Sequence, residues 1–520
     1  MKNTYLFLSA LIIHVALLVS SAQALFLWSQ RIASNTSLPL GEINIGMALD
    51  SQDNCYITGF FDGTNNFGGT TLTNQSTNGS DIFVAEYNSV GVLQWVRRAG
   101  GSYGGFNNGR GIGVDQNKNV YITGGFFGPA DFGSFNLPAS SSEEFFLAKY
   151  NSAGVIQWVQ QSTGSNGGIG VYGTGLAVDN MGNSYALVYV DGRDHQGSTI
   201  TFGSTNVFIP SNYAESMILV KYSNTGAVQW AQLMGGSDEV WATKVAVDAS
   251  GNVYVRGTFC STMTIGSSNL TVSAGSTNNM FIAKFNSSGV LTWVQQPTGG
   301  NVDEGGVAVD SAGNVYVTGD FTTNLNFGGI TLTSTGSDDA FVAKYSSSGA
   351  IQWARQAGGS GGGMYWDVAL DGQANVYASG FLSLCAAVAK YDTAGTLLWT
   401  YSASGPPASP VASLVSKCAV DSADNCFLAG LYQGTATFGT NVLQPQVTWN
   451  FFLVKVAPQG DLNADGKVNL FDLALLTSQW HKANCIAPDW CGGADINQSG
   501  MVDYVDLMEF AQYWLSGVGQ

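Results

Sequence analysis

Two stretches near the C-terminus carry oxygen-bearing side chains at the spacing of a calcium-binding loop. In each, Asp, Asn or Ser stands at positions 1, 3, 5, 9 and 12, and Gly stands at position 6. Alternate side chains of such a loop face inward and, with the main-chain carbonyl of position 7, can surround a hard cation. The predicted ligands of the first loop are Asp461, Asn463, Asp465, Lys467 (carbonyl), Asn469 and Asp472; those of the second are Asp495, Asn497, Ser499, Met501 (carbonyl), Asp503 and Asp506.

These alternating oxygens predict two Ca²⁺ sites. Gly466 and Gly500 permit the sharp turn that the sixth position requires. In the alternative interpretation, the leading Asp only caps the helix that follows by accepting main-chain hydrogen bonds. That alternative accounts for one Asp per loop and leaves the other oxygen ligands unexplained, so calcium is the preferred interpretation.

Apolar residues at helical spacing follow both loops, from Leu473 to Trp480 and from Leu507 to Trp514, and predict two helices. Position 12 is Asp in both loops, where ordinary EF-hands have Glu, and no entering helix is predicted before the first loop. These features resemble the type I dockerin, in which two half-EF-hands hold Ca²⁺ and bind a cohesin module. The resemblance implies a cohesin-like partner.

The residues just after position 9, where dockerin specificity resides, depart from the cellulosomal pattern. They are Leu470-Phe471 and Tyr504-Val505 instead of small hydroxyl residues. Cys485 and Cys491 flank the short segment between the two halves. An oxidising location favours a disulfide between them, with two free thiols as the alternative. The number of cysteines is odd, and the pairing of the others stays open: Cys55, Cys260, Cys385, Cys418 and Cys426.

The N-terminus has the pattern of an export signal. Lys2 precedes an apolar run from Tyr5 to Val19, and Ala22-Gln23-Ala24 follows as a small-residue cleavage motif. The run is shorter than the ~18 apolar residues of a membrane-spanning helix. We therefore expect a signal peptide at residues 1–24 and no membrane span after its cleavage. The mature protein is expected to be secreted, and a partner protein could attach it to the cell surface.

Composition and residue types argue against several functions. The chain has 19 Lys and Arg against 36 Asp and Glu, a net charge of −17, whereas nucleic-acid affinity depends on basic contacts to phosphate. His14 lies in the predicted signal, and His195 and His481 lie in different predicted domains, which disfavours Ser-His-Asp and His-rich zinc sites. Two carboxylate pairs, Asp238-Glu239 and Asp303-Glu304, suit polysaccharide hydrolysis, but their matching places in successive repeats favour a structural role.

Seven repeats occupy the rest of the chain. Each contains an Asp followed four residues later by Asn, as in Asp310-Ser-Ala-Gly-Asn314, and a second motif with Gly and, in six copies, Trp. We interpret the Asp as a cap of a hairpin turn, the Trp as core or inter-blade packing, and the six lysines from Lys149 to Lys455 as solvated faces or cross-strand ion pairs. The repeated Asp residues are Asp50, Asp115, Asp179, Asp248, Asp310, Asp371 and Asp421.

Four short runs of alternating apolar and polar residues make up each repeat, which indicates a β-propeller. The last repeat lacks its outer strand, and the segment from Leu27 to Arg31 matches the missing one. The predicted fold is all-β: a seven-bladed β-propeller closed by an N-terminal strand, followed by a small α-helical tandem EF-hand-like domain. The repeats resemble the bacterial SBBP family, which implies an extracellular setting and no single activity.

Two functions fit these features. The leading hypothesis is a secreted, non-catalytic interaction protein, in which residues 25–460 present a loop-lined face to a polysaccharide or protein ligand and residues 461–520 attach the chain to a partner. The competing hypothesis is a carbohydrate-active propeller enzyme carried by the same tail. We expect the ligand at the Gly-rich connections between blades, where aromatic residues such as Trp241 and Trp366 stand near carboxylates.

Overall fold

The structure is a computed structural model. It describes residues 26–35, 45–76, 79–101, 105–138, 142–164, 170–191, 197–382, 385–402, 414–432, 435–438, 441–444, 449–457, 470–485, 491, 494–496 and 499–515. The predicted signal peptide, the predicted boundary at residue 460 and His195 lie outside these ranges. The chain divides after Val456, so that Leu27–Val456 forms one compact unit and Ala457 begins another segment.

Seven four-stranded sheets form the blades of a propeller, as the repeat predicts. The first strands of successive blades contact one another, and the contact between the first strands of blades 7 and 1 closes the ring. In order from the inner to the outer strand, the blades are: blade 1, Gly46–Leu49, Cys55–Phe61, Asp81–Tyr87, Leu93–Ala99; blade 2, Asn108–Val114, Val120–Phe126, Glu144–Tyr150, Ile156–Thr163; blade 3, Val171–Val178, Ser184–Asp191, Glu215–Tyr222, Val228–Gly236; blade 4, Val240–Val247, Val253–Cys260, Asn278–Phe285, Leu291–Gln295; blade 5, Val307–Val309, Val315–Phe321, Asp339–Tyr345, Ile351–Ala357; blade 6, Gly363–Leu370, Val376–Leu382, Cys385–Tyr391, Leu397–Ser402; and blade 7, Leu414–Val420, Cys426–Tyr432, Trp449–Val456, Phe26–Asn35.

The N-terminal strand completes blade 7. Phe26–Asn35 lies at the edge of the sheet whose next strand is Trp449–Val456, which confirms the predicted closure. Pairing the two ends of the chain removes the sheet edges that an open array of blades would expose.

Short hairpins inserted between the second and third strands of the blades link neighbouring blades. The hairpin Thr199–Phe202 and Thr205–Phe208 of blade 3 pairs with the outer strand of blade 2, and Thr262–Ile265 of blade 4 pairs with the outer strand of blade 3. Blade 6 has no such hairpin in the described ranges, as predicted. The other hairpins are Thr64–Asn66 with Thr71–Thr73, Ala130–Asp131 with Asn136–Leu137, Asn324–Asn326 with Thr331–Thr333, and Ala436–Phe438 with Asn441–Leu443.

The repeated Asp caps the first hairpin turn of its blade. In blade 1, Asp50 Oδ1 accepts the main-chain N–H groups of Gln52 and Asn54 at 2.8 and 3.0 Å, and Oδ2 accepts the side chains of Asn54 and Tyr56 at 2.9 and 3.0 Å. Burial opposes ionisation, but these hydrogen bonds outweigh it and lower the pKa of Asp50. The other six blades repeat the two main-chain bonds and the Asn bond, which confirms the structural interpretation.

A Trp and a Lys of one blade donate hydrogen bonds to a turn of the next blade. Trp230 Nε1 and Lys221 Nζ both donate to the carbonyl of Ser287, at 3.1 and 3.2 Å, and the Trp230 ring packs on Gly289 two residues later. The same arrangement joins blades 2 and 3, 4 and 5, and 5 and 6. The Trp prediction is confirmed, whereas the lysines expected on solvated faces are only partly solvated, because each also donates to the turn of the next blade.

These lysines are partly or fully buried and lie over aromatic rings. Lys221 Nζ is 5.1 Å from the ring centroid of Tyr185 in its own blade, a cation–π distance. Two others form the predicted cross-strand ion pairs: Lys390 with Asp371 at 3.2 Å and Lys455 with Asp421 at 2.7 Å.

Two helices follow in the C-terminal segment. Helices α1 (Leu470–Ser478) and α2 (Tyr504–Leu515) confirm the predicted helical runs. Leu476, Ile496 and Phe510 are buried together at their centre. Within the described residues, no helix is long and apolar enough to cross a membrane.

The contact between the Trp ring and the turn glycine of the next blade predicts that adding one methyl group lowers stability more at that glycine than elsewhere. Gly289 has φ +81°, and a Cβ there would lie 2.7 Å from the Trp230 ring, whereas Gly275 has φ +87° with no atom within 4 Å of such a Cβ. Gly289→Ala should lower the free energy of unfolding by about 2–4 kcal/mol, and Gly275→Ala by about 1 kcal/mol for its backbone alone. Urea denaturation of the two variants measures the difference. Equal losses would show that the ring does not depend on this contact.

Candidate functional sites

The predicted calcium loops are described to different extents. Of the first loop only Asp472 is described, since Asp461, Asn463, Asp465, Lys467 and Asn469 lie outside the described residues. Asp472 stands in the first turn of α1 and is fully buried. The second loop is described except for Asn497 and Gln498, which also lie outside.

The second loop has the shape that its sequence predicts. Asp495 at position 1 is 1% exposed, and its two oxygens accept the N–H groups of Ser499 and Gly500 at 3.0 and 2.8 Å. Gly500 has φ +94°, a conformation that favours glycine. At position 12, Asp506 is fully buried in the first turn of α2, and its Oδ2 accepts the N–H of Asp503 at 2.8 Å.

The donor set suits a hard cation. Two carboxylates are buried within one twelve-residue loop, and an ionised carboxylate is costly to bury unless hydrogen bonds or a cation compensate it. Carboxylate, hydroxyl and main-chain carbonyl oxygens are the ligands of Ca²⁺ in such loops. Within the described part of the chain, no three His, Cys, Asp or Glu side chains form a metal-ligating group. The residues present therefore fit calcium by the types and burial of their donors.

The predicted disulfide is present. Cys485 and Cys491 are bonded, with their Cα atoms 5.1 Å apart, and they pack with Ala494 and Val502 in a small buried cluster. Elsewhere Cys55, Cys260, Cys418 and Cys426 carry free thiols.

An exposed apolar patch adjoins the second loop. Met501, Tyr504 and Val505 are 41%, 55% and 46% exposed. Tyr504 and Val505 begin α2 and are the residues that follow position 9 of the loop, where dockerin specificity resides. We name these three residues the tail patch.

On the propeller, a pocket of about 380 Å³ opens between blades 4 and 5. We name it the rim pocket; its lining residues are Glu239, Trp241, Thr258, Phe259, Cys260, Asn278, Asp303 and Glu304. Trp241 Nε1 of blade 4 donates to Glu304 Oε1 of the connection to blade 5 at 2.5 Å. Glu239 of the first carboxylate pair and both residues of the second pair therefore line one pocket, although the pairs come from different connections.

Aromatic rings extend the rim pocket toward blade 3. The Trp241 ring lies 4.8 Å from that of Tyr189, which lies 4.9 Å from that of Tyr172. The guanidinium of Arg110 lies 4.0 Å above Tyr172, a cation–π contact. Flat rings beside carboxylates can bind the apolar faces and hydroxyl groups of a sugar.

Two buried charged residues near the rim pocket were missed by sequence reasoning. Arg256 replaces the Thr found at this place in blades 1, 2 and 5, and a guanidinium N–H donates to the carbonyl of Asp303. Asp320 stands where blade 1 has Phe60. Burial and the charge of Asp303 raise the pKa of Asp320 to about 8, although Arg256 opposes the shift. Alignment of the seven repeats position by position would have singled out both.

Comparisons with known proteins agree with this division of the chain. The family described as the dockerin type I domain matches residues 459–515. An uncharacterized WD repeat-containing protein of Acanthamoeba polyphaga mimivirus is 24% identical over 426 residues, which are 68% of this chain and 30% of that protein, so the chain spans less than a third of that relative.

Two solved structures are similar to the chain over most of its length. The polysaccharide lyase Uly1 gives a TM-score of 0.44 at 10% identity, over 84% of this chain and 94% of that one. The Dos1 propeller gives 0.39 at 8% identity, over 83% of this chain and 95% of that one. By its sheets and the family match, the protein is a seven-bladed β-propeller with a C-terminal type I dockerin domain, and domains of that family bind calcium.

The pKa of Asp320 predicts how stability changes with pH. Its folded pKa of about 8 exceeds the ordinary value, which is about 4. Between these values the folded chain retains a proton that the unfolded chain loses, so stability falls as pH rises through this window. Asp320→Asn copies the protonated acid, so the stability that it adds relative to the wild type should be at least about 1 kcal/mol larger at pH 9 than at pH 5. Urea denaturation of both proteins at pH 5 and pH 9 measures the difference between their free energies of unfolding. The same difference at both pH values would contradict the raised pKa of Asp320.

Proposed function

We propose that the protein is a secreted, non-catalytic interaction protein. Residues 25–460 bind an extracellular ligand, residues 461–520 attach the chain to a cohesin-like partner in a calcium-dependent manner, and residues 1–24 are the export signal. The match of residues 459–515 to the type I dockerin domain carries the attachment half of the proposal. The partner provides a means of association with a bacterial cell surface.

Each calcium loop would use the oxygens that its spacing provides. In the second loop these are Asp495, Asn497, Ser499, the Met501 carbonyl, Asp503 and Asp506; in the first they are Asp461, Asn463, Asp465, the Lys467 carbonyl, Asn469 and Asp472. Burial of Asp472, Asp495 and Asp506 supports this set. A bound cation would neutralise these carboxylates and hold each loop against its helix.

The tail patch supports partner binding. Large apolar side chains that stay exposed on a small domain are typical of interaction surfaces, and aromatic residues are enriched at such contacts. Tyr504 and Val505 are both about half exposed and stand on one turn of helix. We infer that they contact the partner, in place of the small hydroxyl residues of cellulosomal dockerins.

The rim pocket supports a neutral carbohydrate as the propeller ligand. Its volume lies within the range of ~300–1,000 Å³ of small-molecule sites. Glu239, Asp303 and Glu304 are hydrogen-bond acceptors for hydroxyl groups, and their charge disfavours acidic polysaccharides. Trp241 provides the flat apolar surface.

Two variants of the full chain should affect calcium binding and partner binding differently. Asp506→Asn removes a buried carboxylate ligand and should weaken Ca²⁺ binding by roughly tenfold or more. Tyr504→Ala removes an exposed ring of the tail patch without changing the charge of the loop, so it should leave Ca²⁺ affinity unchanged and abolish capture by a panel of type I cohesin modules. Calorimetry with Ca²⁺ and cohesin pull-downs in Ca²⁺ or chelator measure the two effects.

The exposed Asp238 of the propeller provides the control, because Asp238→Asn makes the same charge change outside the loops. Two Ca²⁺ per chain are expected. An absence of Ca²⁺ uptake would contradict the metal assignment, and capture by cohesin that persists in chelator would contradict calcium-dependent attachment.

A second candidate function is cleavage of a polysaccharide at the rim pocket. The observation that favours it is the convergence of Asp303 and Glu304 with Trp241 in one pocket, since paired carboxylates are the groups that hydrolyse glycosidic bonds. The hydrogen bond from Trp241 to Glu304 equally fits a positioning role for this carboxylate in ligand binding.

Binding and cleavage predict different behaviour with cello- and manno-oligosaccharides. Under the leading proposal, Trp241→Ala weakens oligosaccharide binding by roughly tenfold or more, the wild type releases no product, and Trp366→Ala in blade 6 is a control with unchanged affinity. Calorimetry and chromatography of the reaction mixture measure both. Product release that Glu304→Gln abolishes would replace the leading proposal with the second candidate.

A further inference from the structure

A second cavity lies at the centre of the propeller. It has a volume of about 150 Å³ and is lined by residues of all seven inner strands. That volume is about half of the ~300 Å³ at which small-molecule pockets begin, and equals the liquid volume of about five water molecules at ~30 Å³ each. The cavity therefore suits an ion or a very small molecule. We name it the channel cavity.

Charged residues break the repeat at one position that borders the channel cavity. Four residues before the repeated Asp, blades 1, 2, 3 and 5 have glycine and blades 4, 6 and 7 have Lys244, Asp367 and Lys417. A Cβ on the glycine of blade 3, Gly175, would lie 2.5 Å from the carbonyl of Thr243, so packing excludes side chains there. The three charged residues are not explained by the repeat.

A shift of register places these side chains at the cavity. In blades 4, 6 and 7 the inner strand is irregular immediately before Lys244, Asp367 and Lys417. Such a bulge sets two residues of one strand opposite one of its partner and redirects a side chain. The charged residues thus come from three different blades and reach the same small space.

The three charges do not balance. Lys244 Nζ donates to Asp367 Oδ1 at 2.9 Å, and Asp367 Oδ2 accepts the N–H of Cys418 at 3.1 Å. Side chains of Lys244 and Asp367 are only 13% and 14% exposed. Lys417 makes no ion pair with any carboxylate among the described residues. One carboxylate therefore lies near two lysines, and only Lys244 is paired with it.

Other charged groups around the cavity do not supply the missing anion. Lys417 feels the charges of Lys244, Asp367 and Glu304. Glu304 accepts from Trp241 at the rim pocket, and Arg110, which also borders the cavity, has its own carboxylate in Glu143 at 3.9 Å. Burial and the charge of Lys244 lower the pKa of Lys417 to about 7, whereas Asp367 overcomes burial and raises the pKa of Lys244.

We infer that the channel cavity binds a small free oxyanion, a phosphate, sulfate or carboxylate, between Lys417 and Lys244. Charge-assisted hydrogen bonds from two lysines are a strong means of holding such an ion. The ion would repay the cost of a positive charge held away from water. Because it favours the protonated form of Lys417, it would also be taken up together with a proton near neutral pH.

Calorimetry of the full chain with sulfate tests the site, because sulfate does not itself titrate near neutrality. Lys417→Gln and Lys244→Gln should each weaken sulfate binding roughly tenfold or more. Asp367→Asn removes the competing carboxylate and should tighten it. Lys482→Gln, which removes an exposed lysine of the C-terminal segment, should have no effect. Titrations in two buffers of different ionisation enthalpy should show proton uptake at pH 7–8 that Lys417→Gln abolishes.

Phosphate and acetate distinguish a tetrahedral ion from a carboxylate as the preferred ligand, and binding of any of the three supports the site. Should Lys417→Gln fail to fold, amine labelling of the wild type provides the answer: Lys417 should react at pH 8 and be protected by sulfate. The inference is overturned if none of the three anions binds, or if binding is unchanged in the lysine variants and not tightened in Asp367→Asn. These outcomes are independent of the rim pocket and of the tail.

Discussion

A main-chain carbonyl in a turn of one blade, bound by side chains of the preceding blade, is the contact that recurs between the blades of the ring. In four of the seven junctions it accepts hydrogen bonds from both a Trp and a Lys of the preceding blade, as Ser287 does from Trp230 and Lys221. The Trp ring then covers a glycine of the same turn, which leaves no space for a side chain. At the junction of blades 7 and 1, Lys455 donates to Ser89 in the same manner. Because each blade depends on its neighbour, the fold requires a closed ring, and the N-terminal strand completes it.

These repeated structural contacts indicate which residues are candidates for ligand binding. The Asp caps recur in all seven blades and the Trp, the Lys and the turn glycine in most of them, so they do not distinguish one side of the ring from another. Residues that break the repeat do. Arg256 and Asp320 are buried beside the rim pocket, and Lys244, Asp367 and Lys417 surround the channel cavity. Each costs stability in a place where other blades have a small or apolar residue, so folding alone does not account for these residues.

The sequence predicted the features that depend on neighbouring positions. Repeat spacing predicted seven blades, turn residues predicted the Asp caps, and the missing strand of the last repeat predicted closure by residues from Leu27 onward. It did not predict features that depend on two distant blades. Lys244 and Asp367 are 123 residues apart, and the lysines expected on solvated faces lose part of their exposure because the turn of the next blade covers them. The calcium site is an intermediate case, because the spacing of its ligands is a local feature of the sequence. The second loop has the predicted turn and buried carboxylates, whereas most of the first loop lies outside the described residues.

The distribution of charge connects the two propeller cavities. A net charge of −17 repels anions at long range, and the rim pocket adds three carboxylates around Trp241. A polyanion would have to lie across this acidic surface and would be repelled along its length. For a small ion the repulsion is screened beyond about 10 Å at ordinary salt, so the ion can reach the lysines of the channel cavity. Under the two proposals, the acidic rim pocket favours a neutral polymer and the basic channel cavity favours a small anion. Because the two cavities are lined by different residues, the proposals imply that both ligands bind at once without one displacing the other.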